Sequence, residues 1–434
     1  MRARVNNVAS RDHYSNQLDE SLIGSTVRVA GWIEDIRDIG KLVFLIVRDS
    51  RGTCQAVATG AEARRLVEVP RQSAVAITGI LQKSRAKDIP VEIKITEFSM
   101  LSKADNPLPI DPTGRVESSL DKRLDSRALD LRNPRVATLF RLRAEGLRVV
   151  RQTLISKGFI EVNTPKIIGS ASEGGANLFG FEYFKRNAYL AQSPQLYKEQ
   201  LILALDRVFE IGPYFRAENS HTVRHLTEFT SIDIEAAFTD YESAMDLVEE
   251  VVRRVIEEFQ TNHKDDLEVI GQSRDLSFSR IERLKYGQCL KELNELGEKL
   301  GFGDDLSDAA LRKLGERHPG FYFITDWPLK LKPFYIHEKQ NDESVSMSFD
   351  LQYGYLELVS GGTRLHEVNK LRTRLQAQGL NPDNFSEHLR AFGWGMPPHS
   401  GWGLGYDRLM MVLTGAQNVR EVVLYPRDTE RLTP

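Results

Sequence analysis

The sequence predicts an α+β protein in two parts: an all-β module, then a larger region built on an antiparallel sheet with flanking helices. Three observations carry this expectation. Residues 25–101 hold five short β-rich runs separated by turn residues. Residues 102–134 are rich in breakers and charge. From residue 159 onward, strands and helices mix without a βαβ rhythm. No strand is followed by G-x-G-x-x-G, and there is no G-x-x-x-x-G-K-[ST], so a nucleotide site here is neither Rossmann nor P-loop.

The five runs are Thr26–Trp32, Leu42–Val47, Thr53–Val57, Ala74–Gly79 and Val91–Thr96, with one helical stretch near residues 61–69. That pattern fits a small Greek-key barrel of the OB type, assigned to residues 1–103, and leaves an SH3-like barrel or a sandwich fragment open. Asn106-Pro-Leu-Pro-Ile-Asp-Pro-Thr-Gly114 opens a linker or hinge over residues 104–134. Apolar residues at helical spacing (Leu139, Leu142, Leu147, Val150, Leu154) then mark a helix over 137–157, with Gly158 as its C-terminal cap. It begins the larger domain, residues 135–434. Two helical stretches, near 241–262 and 288–317, suggest a helical insertion or layer at about 241–320.

At 434 residues the chain is long for one core, and two or three domains are expected. Its 41% hydrophobic and 27% charged residues are ordinary for a soluble globular protein. There is no apolar run of about eighteen residues and no secretory signal, so neither membrane insertion nor export is expected, and a cytoplasmic location is. Cys54 and Cys289 are too few for a disulfide framework or zinc cluster, which suits a reducing compartment. A net charge of −3 is no nucleic-acid signature, although a local patch can bind RNA on an acidic protein.

The chemistry concentrates in Phe215-Arg-Ala-Glu218 and Arg224-His-Leu-Thr-Glu-Phe229. These runs are flanked by strand-like Val208–Gly212 and Ser231–Glu235. Such a hairpin can set an arginine over a polyphosphate and a carboxylate and ring against a base; alone, it also fits a charged surface hairpin. Gly158-Phe-Ile-Glu-Val-Asn-Thr-Pro165 and Gly401-Trp-Gly-Leu-Gly-Tyr-Asp-Arg-Leu409 lie on either side of it in the chain. In that order the three segments resemble motifs 1, 2 and 3 of class II aminoacyl-tRNA synthetases. Ala171–Gly175, Gln192–Lys198, Ser360–Arg364, Gly395–His399 and Arg431–Pro434 resemble the aspartyl-tRNA synthetases, in the compact archaeal and eukaryotic form. The resemblance runs from about residue 13 to the end.

It implies an ATP-dependent, AMP-forming aspartate–tRNA ligase. Aspartate and ATP would give aspartyl-adenylate, and the aspartyl group would pass to the 3′ end of tRNA-Asp. By resemblance, Arg216 is the catalytic residue, bridging the aspartate carboxylate and the α-phosphate, where in-line attack builds charge. Glu218 accepts from the adenine amino group, Phe229 and Arg408 sandwich the ring, and Arg224 and His225 hold the outer phosphates. Ala217, Leu226, Gly405, Tyr406 and Asp407 complete the ATP segments. Without the motifs, Arg408 reads as a capping arginine and Phe229 as a core aromatic. Glu357 and Ser360 are implied Mg2+ ligands, Glu357 also touching ATP and Ser360 aspartate. Lys198 and Arg364 match the readers of the side-chain carboxylate. Two cations there favour aspartate, because asparagine would leave a buried cation unpaired. Glu173 and Asp233 face the ammonium, with Gln195 beside them, and Gly174 and Gly175 suit a closing loop. On the β-module, Phe44 matches the base-stacking residue and Arg37 and Gln55 its hydrogen-bonding partners for the anticodon. Otherwise Phe44 reads as barrel core.

The chain departs from the pattern in two places. Asn219, Ser220 and His221 replace the acidic continuation of motif 2, which bears on acceptor-stem contact. Glu34 matches neither class of the position that separates tRNA-Asp readers from readers of both tRNA-Asp and tRNA-Asn, and Pro90 falls in or near the second deciding loop. The expected partners are aspartate, ATP, tRNA-Asp and a second copy of the chain, with motif 1 and Pro165 at the interface. The alternative also charges tRNA-Asn. Ranked below are an asparaginyl-tRNA synthetase, an adenylate-forming paralogue that charges no tRNA, and a binding protein that has lost catalysis.

Overall fold

The computed structural model describes residues 11–169, 178–219 and 222–433. Its contacts divide into two units, Met1–Pro134 and Arg135–Pro434.

In the first unit, β1 (Thr26–Asp38), β2 (Leu42–Arg48), β3 (Thr53–Thr59), α1 (Gly60–Val67), β4 (Ala74–Lys83) and β5 (Val91–Ser102) follow in turn. The strands close a barrel in the order β1-β2-β3-β5-β4, which is the OB arrangement. Alternation sorts the two faces. Val43, Leu45 and Val47 of β2 enter the core with Ala56, Ala58, Ile77 and Ile93. Phe44 lies half-buried on the other face, paired with Arg37 of β1 and Val57 of β3, and takes no part in that core. The segment after β5 is more ordered than its breakers suggest. It forms two short helices, α2 (Leu120–Asp125) and α3 (Arg127–Asp130), where Leu124 and Arg127 are buried and Asp130 takes both Arg123 and Arg127.

The second unit begins with α4 (Pro134–Ser156), which ends where Gly158 adopts φ of 80°. After β6 (Ile160–Glu161), the strands β7 (Ile167–Ile168), β8 (Gly180–Tyr183) and β9 (Arg186–Leu190) make a small side sheet. Then come α5 (Gln195–Leu205), β10 (Arg207–Phe215), β11 (Glu228–Ala237), α6 (Tyr241–Asn262), α7 (Lys264–Ile270), β12 (Glu282–Lys285), α8 (Tyr286–Glu295) and α9 (Asp308–Arg317). The chain finishes through β13 (Phe321–Thr325), β14 (Glu338–Lys339), β15 (Asp342–Ser346), β16 (Ser348–Tyr353), β17 (Leu356–Thr363), α10 (Val368–Ala377), α11 (Ser386–Phe392), β18 (His399–Gly405) and α12 (Tyr406–Thr414).

An eight-stranded sheet in the order β12-β13-β16-β17-β18-β11-β10-β6 organises this unit. Only its two end pairs, β12–β13 and β6–β10, are parallel. One face is covered by α4, α6 and α12, whose Leu142, Val150, Val251, Val255, Leu409 and Met410 pack on Ile232, Ile234, Leu351, Leu358 and Leu404. Within residues 241–320, α6 therefore lies on the sheet and β12 is an edge strand of it. The stretch near 288–317 is two helices, interrupted where Gly297 and Gly303 take φ of 87° and 96°. On the other face, α5, α10 and α11 form a second core around Ile202, Phe334, Leu371 and Leu389. The same face carries the polar side chains of β11 and β17. No described helix is long and apolar enough to cross a membrane.

Candidate active site

Three strands make the floor of a cavity of about 290 Å³. On β18 the glycines alternate with bulk: Trp402 and Leu404 go into the core, while Gly403 and Gly405 line the cavity. A Cβ on Gly403 would stand 3.0 Å from the Asp233 carboxylate, and one on Gly401 would stand 2.3 Å from Glu235 Oε2. The glycines thus give the neighbouring carboxylates of β11 their room. On β11, Ile232 and Ile234 face the core and Ser231 and Asp233 face the cavity.

β17 solves a parity problem. Residues three apart on a regular strand point to opposite faces, yet Glu357 and Ser360 both line the cavity. Pairing with β16 runs Leu351↔Val359 and then Gln352↔Glu357, so Leu358 is an extra, bulged residue. The bulge restores both oxygen-bearing side chains to one side.

The inner end of the cavity holds two buried cations. Lys198, the fourth residue of α5, is 3.1 Å from Asp233 Oδ1 and 3.5 Å from Glu235 Oε2. Arg364 donates to both oxygens of Glu235 at 3.0 and 3.3 Å and lies over the Tyr335 ring at 5.3 Å. Ser231 donates to the second oxygen of Asp233 at 2.6 Å. Two cations and two carboxylates balance there without a substrate. Gln195 also lines this end.

The outer end is rich in guanidinium. Arg216 follows β10, its backbone N–H bonded to Thr227 O at 2.9 Å, and its guanidinium lies 5.3 Å from the Phe229 ring and 3.7 Å from Glu218. Arg408, in the first turn of α12, donates to the carbonyl oxygens of Glu357 at 2.9 Å and Arg224 at 3.4 Å. Arg224 pairs with Asp308 of α9. Burial, and then the charges of Arg216 and Arg224 against the opposing Glu357, push the Arg408 pKa down. His225 is likewise pushed down by burial and by Arg408, with Glu218 opposing. Such a cluster of like charge suits a polyanion.

Between the two ends, enclosure by the cavity and the nearby Asp350 carboxylate push the Glu357 pKa up against Arg408, Lys332 and Arg216. Asp350 lies opposite Ser360 on β16 and takes Lys332 at 2.6 Å, while its other oxygen is buried without a hydrogen-bond partner.

Most of the expected site residues therefore line one cavity: Gln195, Lys198, Arg216, Glu218, Arg224, His225, Leu226, Phe229, Asp233, Glu357, Ser360, Arg364, Gly405, Asp407 and Arg408. Three others differ. Ala217 is not among the lining residues. Tyr406 is fully buried, its hydroxyl donating to Arg143 O at 2.5 Å, so only its backbone is on offer to a ligand. Glu173, with Gly174, Gly175, Ser220 and His221, lies outside the described residues. Asp407 lines the cavity but also anchors the wall, accepting from Thr230 N at 2.8 Å and pairing with Arg143 at 2.6 Å. Glu235, Asp350, Lys332 and Tyr335 were not singled out from sequence.

On the barrel, Arg37 and Phe44 are cross-strand neighbours on the outer face. Gln55 shares that face of β3 but is buried, its amide donating to Glu92 Oε2 at 2.8 Å. Glu34 pairs with Arg48.

Residues 119–429 match the family described as tRNA synthetases class II (D, K and N), and residues 27–101 match the OB-fold nucleic acid binding domain. The chain is a class II tRNA synthetase. Proteins of Methanothermobacter thermautotrophicus and Methanocaldococcus jannaschii, both named aspartate–tRNA(Asp/Asn) ligase, are each 44% identical to this synthetase, over 98% of both chains. Among solved structures, the asparaginyl-tRNA synthetase of Pyrococcus horikoshii complexed with asparaginyl-adenylate superposes with a TM-score of 0.92 at 30% identity, covering 98% of this chain and 100% of that one. The aspartyl-tRNA synthetase of Entamoeba histolytica gives 0.86 at 31%, covering 97% and 92%. This synthetase is an aminoacyl-tRNA ligase, of a family that uses ATP and typically Mg2+.

Proposed function

We propose that this synthetase activates L-aspartate with ATP and transfers it to tRNA-Asp and also to tRNA-Asn. The observation that carries the amino-acid choice is the pair of buried cations, Lys198 and Arg364, at the closed end of the cavity. A side-chain carboxylate can share both. A side-chain amide would put an N–H against a guanidinium and cost an interaction. Likeness to solved structures alone does not separate aspartate from asparagine, because enzymes of both names superpose well. The 44% identical relatives support aspartate, and their shared name supports the broader tRNA range.

In this reading, aspartate lies with its side chain toward Lys198 and Arg364 and its ammonium toward Asp233. Its α-carboxylate points to Arg216, and the adenine lies against Phe229 and Arg408. Arg216 bridges the attacking carboxylate and the α-phosphate and meets the charge that builds there. Arg224 and His225 hold the outer phosphates. Asp350, Glu357 and Ser360 fit a hard divalent cation: they offer oxygen only, Glu357 and Ser360 share one side of the bulged β17 with Asp350 opposite Ser360 on β16, and one Asp350 oxygen is buried and unsatisfied. Bound there, Mg2+ would neutralise phosphate charge. Phe44, with Arg37 and Gln55 beside it, would stack an anticodon base on the barrel face. Exposed Ile160 and Ile167, on either side of Pro165 in the chain, support a homodimer through motif 1, and the whole fits a cytoplasmic enzyme.

Charging of tRNA-Asp and tRNA-Asn transcripts with aspartate tests this directly. Both should be aspartylated. Failure on tRNA-Asn alone removes the broader range, and failure on both removes the reading.

A further inference from the structure

Just beyond Arg364, a second cluster has no part in the reaction described above. His366 and Glu367 meet His337 where an isolated bridge joins Ile336 to Arg364. One nitrogen or carboxylate oxygen from each residue lies within 4.8 Å of the other two. His337 Nε2 is 3.6 Å and His366 Nδ1 is 3.8 Å from the same atom, Glu367 Oε2. Neither distance is a hydrogen bond. His366 Nδ1 and Glu367 Oε2 are both buried without a hydrogen-bond partner, which is costly unless something else binds them.

Two of the atoms turned away from the cluster are held from outside. His337 Nδ1 lies 2.7 Å from the Glu338 carbonyl oxygen, so it carries the proton and leaves the Nε2 lone pair facing the cluster. Lys370 Nζ is 3.3 Å from Glu367 Oε1, which leaves Oε2 turned to the imidazoles. Metal-binding imidazoles ordinarily donate their far N–H to a carbonyl or carboxylate, and binding carboxylates are held from outside in the same way.

We propose that His337 Nε2, His366 Nδ1 and Glu367 Oε2 bind one Zn2+ or a similar transition-metal ion, with solvent as the fourth ligand. Two imidazoles and a carboxylate suit zinc, whereas Mg2+ and Ca2+ take oxygen. Zinc bonds of about 2.0–2.1 Å imply ligand separations of roughly 3.3–3.4 Å in a tetrahedron, so the 3.6 and 3.8 Å distances to Glu367 Oε2 need to close by a few tenths, while the two imidazole nitrogens, within 4.8 Å of each other, close by side-chain rotation. The ligands are not shared with the Asp350, Glu357 and Ser360 group. Tyr335 and Arg364, which line the inner cavity, each lie two residues from a ligand. The ion therefore ties together the two segments that form the inner wall.

A second cluster, Glu145, Glu258 and His263, also gathers within 4.8 Å. There Arg148 bonds both carboxylates and Asp266 takes His263, so it serves as the control. Chelator-treated full-length protein is titrated with ZnCl2 by calorimetry in excess Mg2+. One ion should bind per chain, and His337→Asn and Glu367→Gln should each weaken it by about tenfold or more. His263→Asn should leave binding unchanged. Zn2+ should raise the thermal midpoint of the wild type and of His263→Asn, but not of the other two. Should His337→Asn fail to fold, Glu367→Gln reports the same site. Co2+ loaded on the wild type should then show the intense visible bands of a four-coordinate ion. Absence of saturable binding, binding unchanged in both site variants, loss in His263→Asn instead, or a weak six-coordinate Co2+ spectrum would each overturn the proposal.

Discussion

Replacing Arg364 with methionine keeps an unbranched chain of similar reach and removes the guanidinium. Two consequences follow from the geometry. Glu235, fully buried, loses two hydrogen bonds of 3.0 and 3.3 Å and keeps only Lys198 at 3.5 Å. Breaking a buried pair from one side costs about 3–5 kcal/mol, and the remaining lysine sets the expectation near ~3 kcal/mol. In the bound state, the aspartate side chain is left with one cation instead of two. Removing a buried charged partner in this way costs at least about 2–3 kcal/mol, which is a ~30- to 150-fold rise in the KM for aspartate. Urea unfolding reads the first effect, and pyrophosphate exchange at varied aspartate reads the second. Exchange with asparagine, which has no side-chain charge, should not weaken in proportion, so the preference for aspartate should narrow. A folded Arg364→Met protein with a near-normal KM for aspartate would refute the assignment. Arg364→Lys, which keeps a charge, should recover part of both losses.

Arg216→Ala should cut aspartate-dependent pyrophosphate exchange by about 10²–10³ or more, and near-normal exchange would defeat the proposed role of Arg216. Phe44→Ala should lower the charging efficiency of tRNA by roughly 5- to 150-fold, the equivalent of ~1–3 kcal/mol of base stacking, while leaving pyrophosphate exchange intact. Gly401→Ala sets a Cβ 2.3 Å from Glu235 Oε2 and the Ile234 carbonyl oxygen, and denaturant unfolding should show a loss of at least about 1–3 kcal/mol. Burial alone would lower the His318 pKa, but hydrogen bonds to Glu292 and Glu282 outweigh it and raise the pKa above its ordinary value. Because the folded pKa is the higher one, the stabilisation is full below the unfolded pKa of about 6.5 and fades as pH rises through the folded value. His318→Gln should therefore be most destabilising at mildly acid pH and least at alkaline pH, as read from urea midpoints; a loss growing with pH would contradict this.

Much of the site was legible because its residues lie in short runs of fixed pattern. The strand-like flanks of the β10–β11 hairpin follow from local pattern, but the site roles of that hairpin, of the glycine-rich β18 and of Arg408 come from their resemblance to family motifs, since alone the hairpin also fits a charged surface and Arg408 a helix cap. Glu235 was within reach of the same reasoning, since it shares a strand face with Asp233 two residues earlier. Asp350 was not, because its position opposite Ser360 depends on strand register. The role of Leu358 is also invisible locally: only pairing with β16 reveals the bulge that puts Glu357 and Ser360 on one side. Phe44 shows where composition misleads. An aromatic in a β-run reads as core, yet Val43, Leu45 and Val47 fill the barrel and Phe44 faces outward. Gln55 needed tertiary information too, because its partner Glu92 comes from β5, a strand distant in sequence but beside β3 in the barrel.

In the proposed function, a cavity with Lys198 and Arg364 at its closed end and Arg216, Arg224 and Arg408 at its mouth activates aspartate. Pyrophosphate exchange by the purified protein, with ATP and Mg2+ and with aspartate, asparagine or lysine supplied one at a time, tests it most directly. Strong exchange with aspartate and little with the other two is the predicted result. Exchange driven by asparagine or lysine in preference to aspartate, or by none of the three, would rule out aspartate activation in this cavity.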